Sequence, residues 1–143
     1  MQESFSQAAG RHLNDAFNLR NAERWENAVY LAGYVVECAF KVLVEIYLDR
    51  DRAAVKKYGH DLEELEGKAM SRLKVMYPVL DMQPATARTT ETVLAQNHPE
   101  RRYAQSGLWT ENQAIAAVSR ANEIYREIVT RLVLDGRISS REL

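Results

Sequence analysis

The sequence predicts an all-α fold: an antiparallel up-down four-helix bundle with an additional short helix. Three observations predict it. Apolar residues recur at helical spacing in separate stretches, and no stretch shows the alternation of a half-buried strand. One stretch, WENAVYLAGYVVECAFKVLVEIYL from Trp25 to Leu48, is apolar on almost every face. A helix that is apolar all round belongs at the centre of a bundle.

The first helix spans residues 4 to 20, with Phe5, Ala9, Leu13, Ala16, Phe17 and Arg20 on or beside one face. Asn21 is placed to cap the next helix, so the connection is short and the two helices pair antiparallel. The central helix follows, and the charged run DRDRAAVKKYG after it is a loop with one helical turn at Ala53 to Val55, closed by Gly59. A third helix opens at HDLEEL, where Asp61 and Glu64 form a variant capping box. Its buried stripe is Leu62, Leu65, Ala69, Leu73 and Met76, and Pro78 stops it. Residues 86 to 96 suggest a short helix with Val93 and Leu94 inward, and NHPERRYAQSGLW reads as loop. Thr110 and Gln113 form the capping box of the last helix, with Ala114, Val118, Ala121, Tyr125, Ile128 and Leu132 on its core face. Gly136 ends it. Residues 1–136 are expected to form a single domain and 137–143 a solvated tail.

Bulk properties narrow the function. A chain of 143 residues with 46% hydrophobic and 27% charged content buries a working core without disulfides or metal. The net charge of -1 supplies no global basic field, so nucleic-acid binding has to rest on a local patch. The single cysteine, Cys38, forms no internal disulfide and reads as a small buried hydrophobe, which suits a reducing cytoplasm. The opening MQESFSQAAG lacks a basic region followed by an apolar run, so no signal peptide is expected. Glu37 and Lys41 interrupt the central stretch, so no membrane span is expected either.

The polar groups of the central helix lie on one stripe: Asn27, Tyr30, Tyr34, Glu37, Lys41 and Glu45. Charges there must be paired, solvated at a groove or buried at a subunit contact. Glu37 and Lys41 stand at the spacing and orientation of a helical ion pair, structural or lining a groove between helices or subunits. His60 and Asp61, after Lys56 and Lys57, sit at a helix mouth that either is capped or receives an anion. His98, Glu100, Arg101, Arg102 and Tyr103 bring two guanidinium groups, an imidazole and an aromatic ring together. They are the local candidate for an RNA or nucleotide contact against the alternative of a salt-bridged loop. The ligand-binding candidates are therefore Glu37, Lys41, His60, Asp61, Arg101, Arg102 and Tyr103. His12, His60 and His98 show no metal-ligand spacing, and there is no Gly-rich phosphate loop, so no metal and no cofactor are expected. Tyr30, Tyr34 and Trp109 read as core, contact or bundle-end residues.

The chain resembles the HEPN domains, small helical bundles of prokaryotes and of some eukaryotic proteins. RWENAVYLAGYVVECAFKVLVEIYL, then KYGHDLEEL, then RRY before the terminal helix carry the likeness, which touches most of residues 11 to 134. The resemblance implies an antiparallel bundle that dimerises and a stress, defence or toxin–antitoxin setting. Many such domains are metal-independent endoribonucleases, and others accompany nucleotidyltransferases. The ribonucleases share an Arg followed after four to six residues by His, and this chain departs from that: Arg52 precedes His60 with seven residues between, Arg88 precedes His98 with nine, and Arg11 abuts His12.

The expectation is thus a non-catalytic, cytoplasmic HEPN-like module that forms a homodimer and binds RNA, a nucleotide or a partner protein. The apolar surplus of the central helix also points to a dimer. One alternative is a metal-independent endoribonuclease with a divergent site. There His60 or His98 would serve as acid or base and Arg101 or Arg102 would stabilise the phosphorane. The other is a structural partner of a nucleotidyltransferase.

Overall fold

The computed structural model describes residues 1–48, 51–76, 89 and 92–143. The chain is all-α, and the described residues contain no strand. Helix α1 (Phe5–Asn21) starts at Ser4, whose hydroxyl accepts from Gln7 N–H at 3.3 Å, and buries Ala9, Leu13 and Ala16. Helix α2 (Trp25–Tyr47) packs against α1, the short α3 (Arg52–Lys56), α4 (Leu62–Met76) and α5 (Glu111–Tyr125). Its Val29, Val35, Val36, Phe40 and Leu43 are fully buried. The apolar surplus of α2 therefore does not call for a second copy, because neighbouring helices of the same chain cover it. No helix among the described residues is long and apolar enough to cross a membrane.

The α1–α2 link is built differently from its sequence expectation. Asn21 is the last residue of α1, not the cap of α2; Arg24 holds the cap position and makes no side-chain capping bond. The turn is a Schellman motif, with Arg24 N–H donating to Leu19 O at 2.8 Å and Glu23 N–H to Arg20 O at 3.1 Å. Glu23 takes the left-handed conformation this motif requires, at φ 61. Glycine usually fills that position, and a glutamate gives no sequence signal for it.

Asp51 caps α3 through Ala54 N–H at 3.1 Å, and Arg52 pairs with the buried Glu45 of α2 at 2.9 Å. Leu62, Leu65 and Ala69 of α4 enter the core as expected. Pro78 and the side chains of Leu73 and Met76 lie outside the described residues, as do residues 86–88, 90 and 91 of the expected short helix. Its remainder is one 3₁₀ turn, Val93–Ala95, with Leu94 fully buried. A second 3₁₀ turn, Glu100–Tyr103, lies in the segment expected to be loop.

The Thr110–Gln113 capping box closes in both directions, at 2.9 and 3.2 Å. A π-helical turn, Arg126–Thr130, then leads into α6 (Arg131–Leu134). The wider turn re-phases the buried face, so Ile124, Ile128, Val129 and Leu132 all reach the core, while Tyr125 is only partly buried. Gly136, at φ 70, closes a second Schellman motif with Arg137 N–H on Leu132 O at 2.8 Å. The segment after it is not wholly solvated. Ile138 folds back and is 4% exposed within the core, since an apolar residue just past the turn gains by covering the helix end.

Candidate functional site

The polar stripe of α2 is the floor of the site. Glu37 is 2% exposed, yet its carboxylate is fully engaged. Lys41 Nζ donates to Oε1 at 2.7 Å from the next turn of the same helix. His60, in the loop ahead of α4, approaches with Nδ1 at 3.0 and 3.1 Å from the two oxygens. His98, ahead of the second 3₁₀ turn, places Nε2 at 2.8 Å from Oε2. Burial alone would raise the Glu37 pKa. The hydrogen bonds from His98 and Lys41, the Lys41 charge and the His60 bond outweigh it and hold the carboxyl at about 2. Glu37 is thus an anion joining three chain segments.

An ionised carboxylate only accepts, so each imidazole must present an N–H to it. This fixes both tautomers. His98 carries its proton on Nε2, and its Nδ1 is buried with no partner among the described residues. Burial, first of all, keeps the His98 pKa below the ordinary value against the pull of Glu37, and the nearby Arg101 charge adds to the lowering. His60 bonds through Nδ1, and its side chain is 50% exposed, which leaves Nε2 on the open side. That side is a groove of about 880 Å³ shared by His60, His98, Asp61 and Arg102.

Gly33 makes the close packing possible. A Cβ there would collide with Arg101 Nη2 and lie 2.7 Å from His98 Nδ1. Arg101 itself is 6% exposed and turns both terminal nitrogens to backbone, Nη1 to the carbonyls of Val93, Leu94 and Gln96 and Nη2 to Val29 O of α2 at 3.2 Å, while its buried Nε has no partner among the described residues. Burial lowers its pKa to about 10, which leaves it a cation. Arg101 is therefore a clamp that fixes the His98 loop to α2, not a ligand-binding residue as its sequence neighbourhood suggests. Arg102 points outward and lies over the Tyr103 ring at 4.6 Å. Tyr103 is 79% exposed, and no contact joins it to the carboxylate cluster among the described residues.

Of the two readings of the helix mouth, the structure has the capped one. Asp61 occupies the α4 N-terminus by accepting from Glu64 N–H at 3.0 Å, Lys56 pairs with Glu3 at 3.0 Å, and Lys57 lies over Tyr58. Two residues that the sequence reading weighed without assigning them to the site stand beside it. Tyr34 is the hub of its aromatic side: His98, His60 and His12 place their ring centroids 4.8, 5.7 and 5.9 Å from it, so every histidine of the chain meets this ring. Burial and a hydrogen bond with Tyr30 raise the Tyr34 pKa to about 12 and keep the hydroxyl protonated. His12 was legible in principle. In an antiparallel pair, residues equally far from the turn lie level, and His12 and Tyr34 are equidistant from Glu23.

The ligand atoms of Glu37, His60 and His98 lie within 4.8 Å of one another, a set that chemically suits a divalent metal. Its surroundings do not. A metal on His98 Nε2 would drive the proton to Nδ1, which has no acceptor among the described residues, whereas metal-bound histidines donate that N–H. The Lys41 ammonium, 2.7 Å from the carboxylate, repels a second cation. The cluster fits proton holding better than metal holding. Comparison of the chain with protein families, with curated proteins and with solved structures gave no match.

Proposed function

We propose that the chain is a HEPN-like helical module that acts on RNA, cleaving a phosphodiester in the groove beside His60 without a metal. The observation that carries this reading is the Glu37–His60 pair. A buried carboxylate holds the imidazole by Nδ1 at 3.0 Å, and the half-exposed ring lines the groove with Nε2 unclaimed by the carboxylate. This arrangement fixes the position and orientation of the ring, which a proton-transferring histidine needs. In the reaction the 2′-hydroxyl oxygen bonds to phosphorus as its proton passes to solvent water, His60 in its imidazolium form gives its Nε2 proton to the departing 5′-oxygen, and a 2′,3′-cyclic phosphate is left. Arg102, exposed on the same groove, offsets charge on the phosphorane. The missing Arg–His spacing is no obstacle, because His60 and Arg102 share the groove through tertiary structure.

A second reading is a non-catalytic module that binds a nucleotide or a partner protein. The groove wall favours it: among the described residues, Asp61, Glu63, Glu66 and Glu100 line the groove with one arginine, Arg102, a balance that weakens capture of a polyanion. Incubation of purified protein with RNA in the presence of a chelator separates the two. Cleavage abolished by His60→Gln and slowed about 10²–10³-fold by Arg102→Ala supports the first. Intact RNA with wild-type protein removes it, and nucleotide binding lost in Arg102→Ala then supports the second. The homodimer and the nucleotidyltransferase partner remain proposals, read by sedimentation alone and with that partner.

A further inference from the structure

The second 3₁₀ turn, Glu100–Tyr103, presents its last two side chains outward. A turn of this kind spreads successive side chains around its axis, so with Arg101 directed inward Arg102 and Tyr103 point elsewhere. Arg101 is 6% exposed, and its bonds to Val93, Leu94, Gln96 and Val29 fasten the turn to α2 and to the preceding 3₁₀ turn. Arg102 and Tyr103 are both exposed, and the guanidinium lies over the phenol ring at 4.6 Å. A hydrogen bond with Tyr103 raises the Arg102 pKa above its ordinary value, and Tyr30 and Tyr34 of α2 act on it in the same direction. The buried clamp thus holds a stacked cation–aromatic pair in a fixed place.

That place is the rim of the groove. Arg102 itself lines the groove beside His60, His98 and Glu100, and Tyr103 follows it in the chain. The other tyrosines nearby are committed to packing: Tyr58 is 7% exposed, and Tyr30 and Tyr34 meet edge to face at 5.1 Å. Tyr103 is 79% exposed, which leaves its ring open. The groove carboxylates add a reason for such a ring. Asp61, Glu63, Glu66 and Glu100 repel phosphate, so a nucleotide held there needs a contribution that does not depend on charge. Stacking of a base on an aromatic ring supplies one.

We infer that Tyr103 and Arg102 form a nucleobase subsite on the groove rim, where a base joins their stack while the phosphate of the same nucleotide takes the edge N–H groups of Arg102. The inference rests on the reading above that puts an RNA phosphate at Arg102. A base extends outward from its own phosphate, so the ring that receives it stands beside the groove. A guanidinium stacks through its face and donates through its edge, so the two roles of Arg102 do not compete. Every base has a π-face, so the subsite reads the presence of a base and not its identity.

The test is calorimetric titration of the full chain with adenosine 5′-monophosphate and with ribose 5-phosphate, which lacks the base, alongside the RNA cleavage assay. Wild type should bind the nucleotide about 10–100-fold more tightly than the sugar phosphate. Tyr103→Leu, at an exposed position, should erase that preference and keep the sugar-phosphate affinity, and Tyr103→Trp should retain the preference. Arg102→Lys keeps the charge without the planar face and should also lose it. Equal affinity of wild type for the two probes, or no binding of either at millimolar concentration, overturns the inference. So does a preference that survives in Tyr103→Leu or Arg102→Lys, or that is lost in Tyr103→Trp. RNA cleaved by wild type in any of those cases leaves the ribonuclease reading standing without the subsite. Intact RNA with a base preference that Tyr103→Leu erases removes the ribonuclease reading and keeps the subsite as that of a nucleotide-binding module.

Discussion

Replacing Glu37 with Gln keeps the side-chain shape and removes the charge on which three segments converge. The amide offers one oxygen and one NH₂ group, so at least one of Lys41, His60 and His98 would face a donor in place of an acceptor. Lys41, with its side chain 9% exposed, would keep a buried ammonium without its counter-charge. Breaking a buried pair from one side costs about 3–5 kcal/mol. Against a total stability of about 5–15 kcal/mol, that is a large share. At about 3 °C per kcal/mol for a chain of this length, the expected fall in Tm is roughly 10–15 °C. Lys41→Met should cost less, about 1.5–3 kcal/mol, because Glu37 keeps both imidazoles. The double variant should recover about 1–3 kcal/mol of the summed losses, since neither charge is then stranded. Urea and thermal melts followed by circular dichroism give all four corners of the cycle. A Glu37→Gln protein that melts within about 3 °C of wild type, or strictly additive losses, would show that the carboxylate is not the tie described here.

Other outcomes follow from the same geometry. Gly33→Ala should destabilise by about 1–3 kcal/mol and unseat His98, because its Cβ meets Arg101 and His98. Gly67→Ala, in α4 with nothing within 4 Å, should instead stabilise by about 1 kcal/mol, and the opposite signs are read by urea melts. Glu23→Gly should raise stability by about 0.5–1 kcal/mol by relieving φ 61; a lower Tm contradicts the Schellman assignment. His98 and His12 are both held below 6.5 by burial, so an unfolded chain takes up protons that the folded one refuses as pH falls from there. Glu37, held at about 2 instead of 4.5, adds a second loss of about 3 kcal/mol between those values. Stability should therefore be highest above pH 6.5 and decline in two stages, and a Tm that does not change between pH 7 and 3 would exclude this.

Local features were legible where a local rule governs them. The Thr110–Gln113 box closes as the spacing requires, Gly136 takes the left-handed position its residue type announces, and the central helix lies where an all-apolar rod must. Glu23 was not legible, because it performs a glycine's task without glycine's signature. Arg101 and Arg102 are neighbours of one type, and nothing local separates the clamp from the exposed cation; the 3₁₀ turn alone turns one inward. The Glu37–Lys41 pair could be seen from i,i+4 spacing, but its two histidines could not, since His60 and His98 arrive from distant loops.

The sequence by itself determined the helical class, the burial of residues 25–48 and the need to neutralise two charges within them, because periodicity and desolvation act on every chain alike. Only the tertiary structure decided how that need is met. Loop closure brings His60 and His98 onto one carboxylate, the α1–α2 hairpin brings His12 to the same tyrosine, and a glycine leaves room for the arginine that holds them there. Such convergence is set by where segments pack, and spacing along the chain does not encode it.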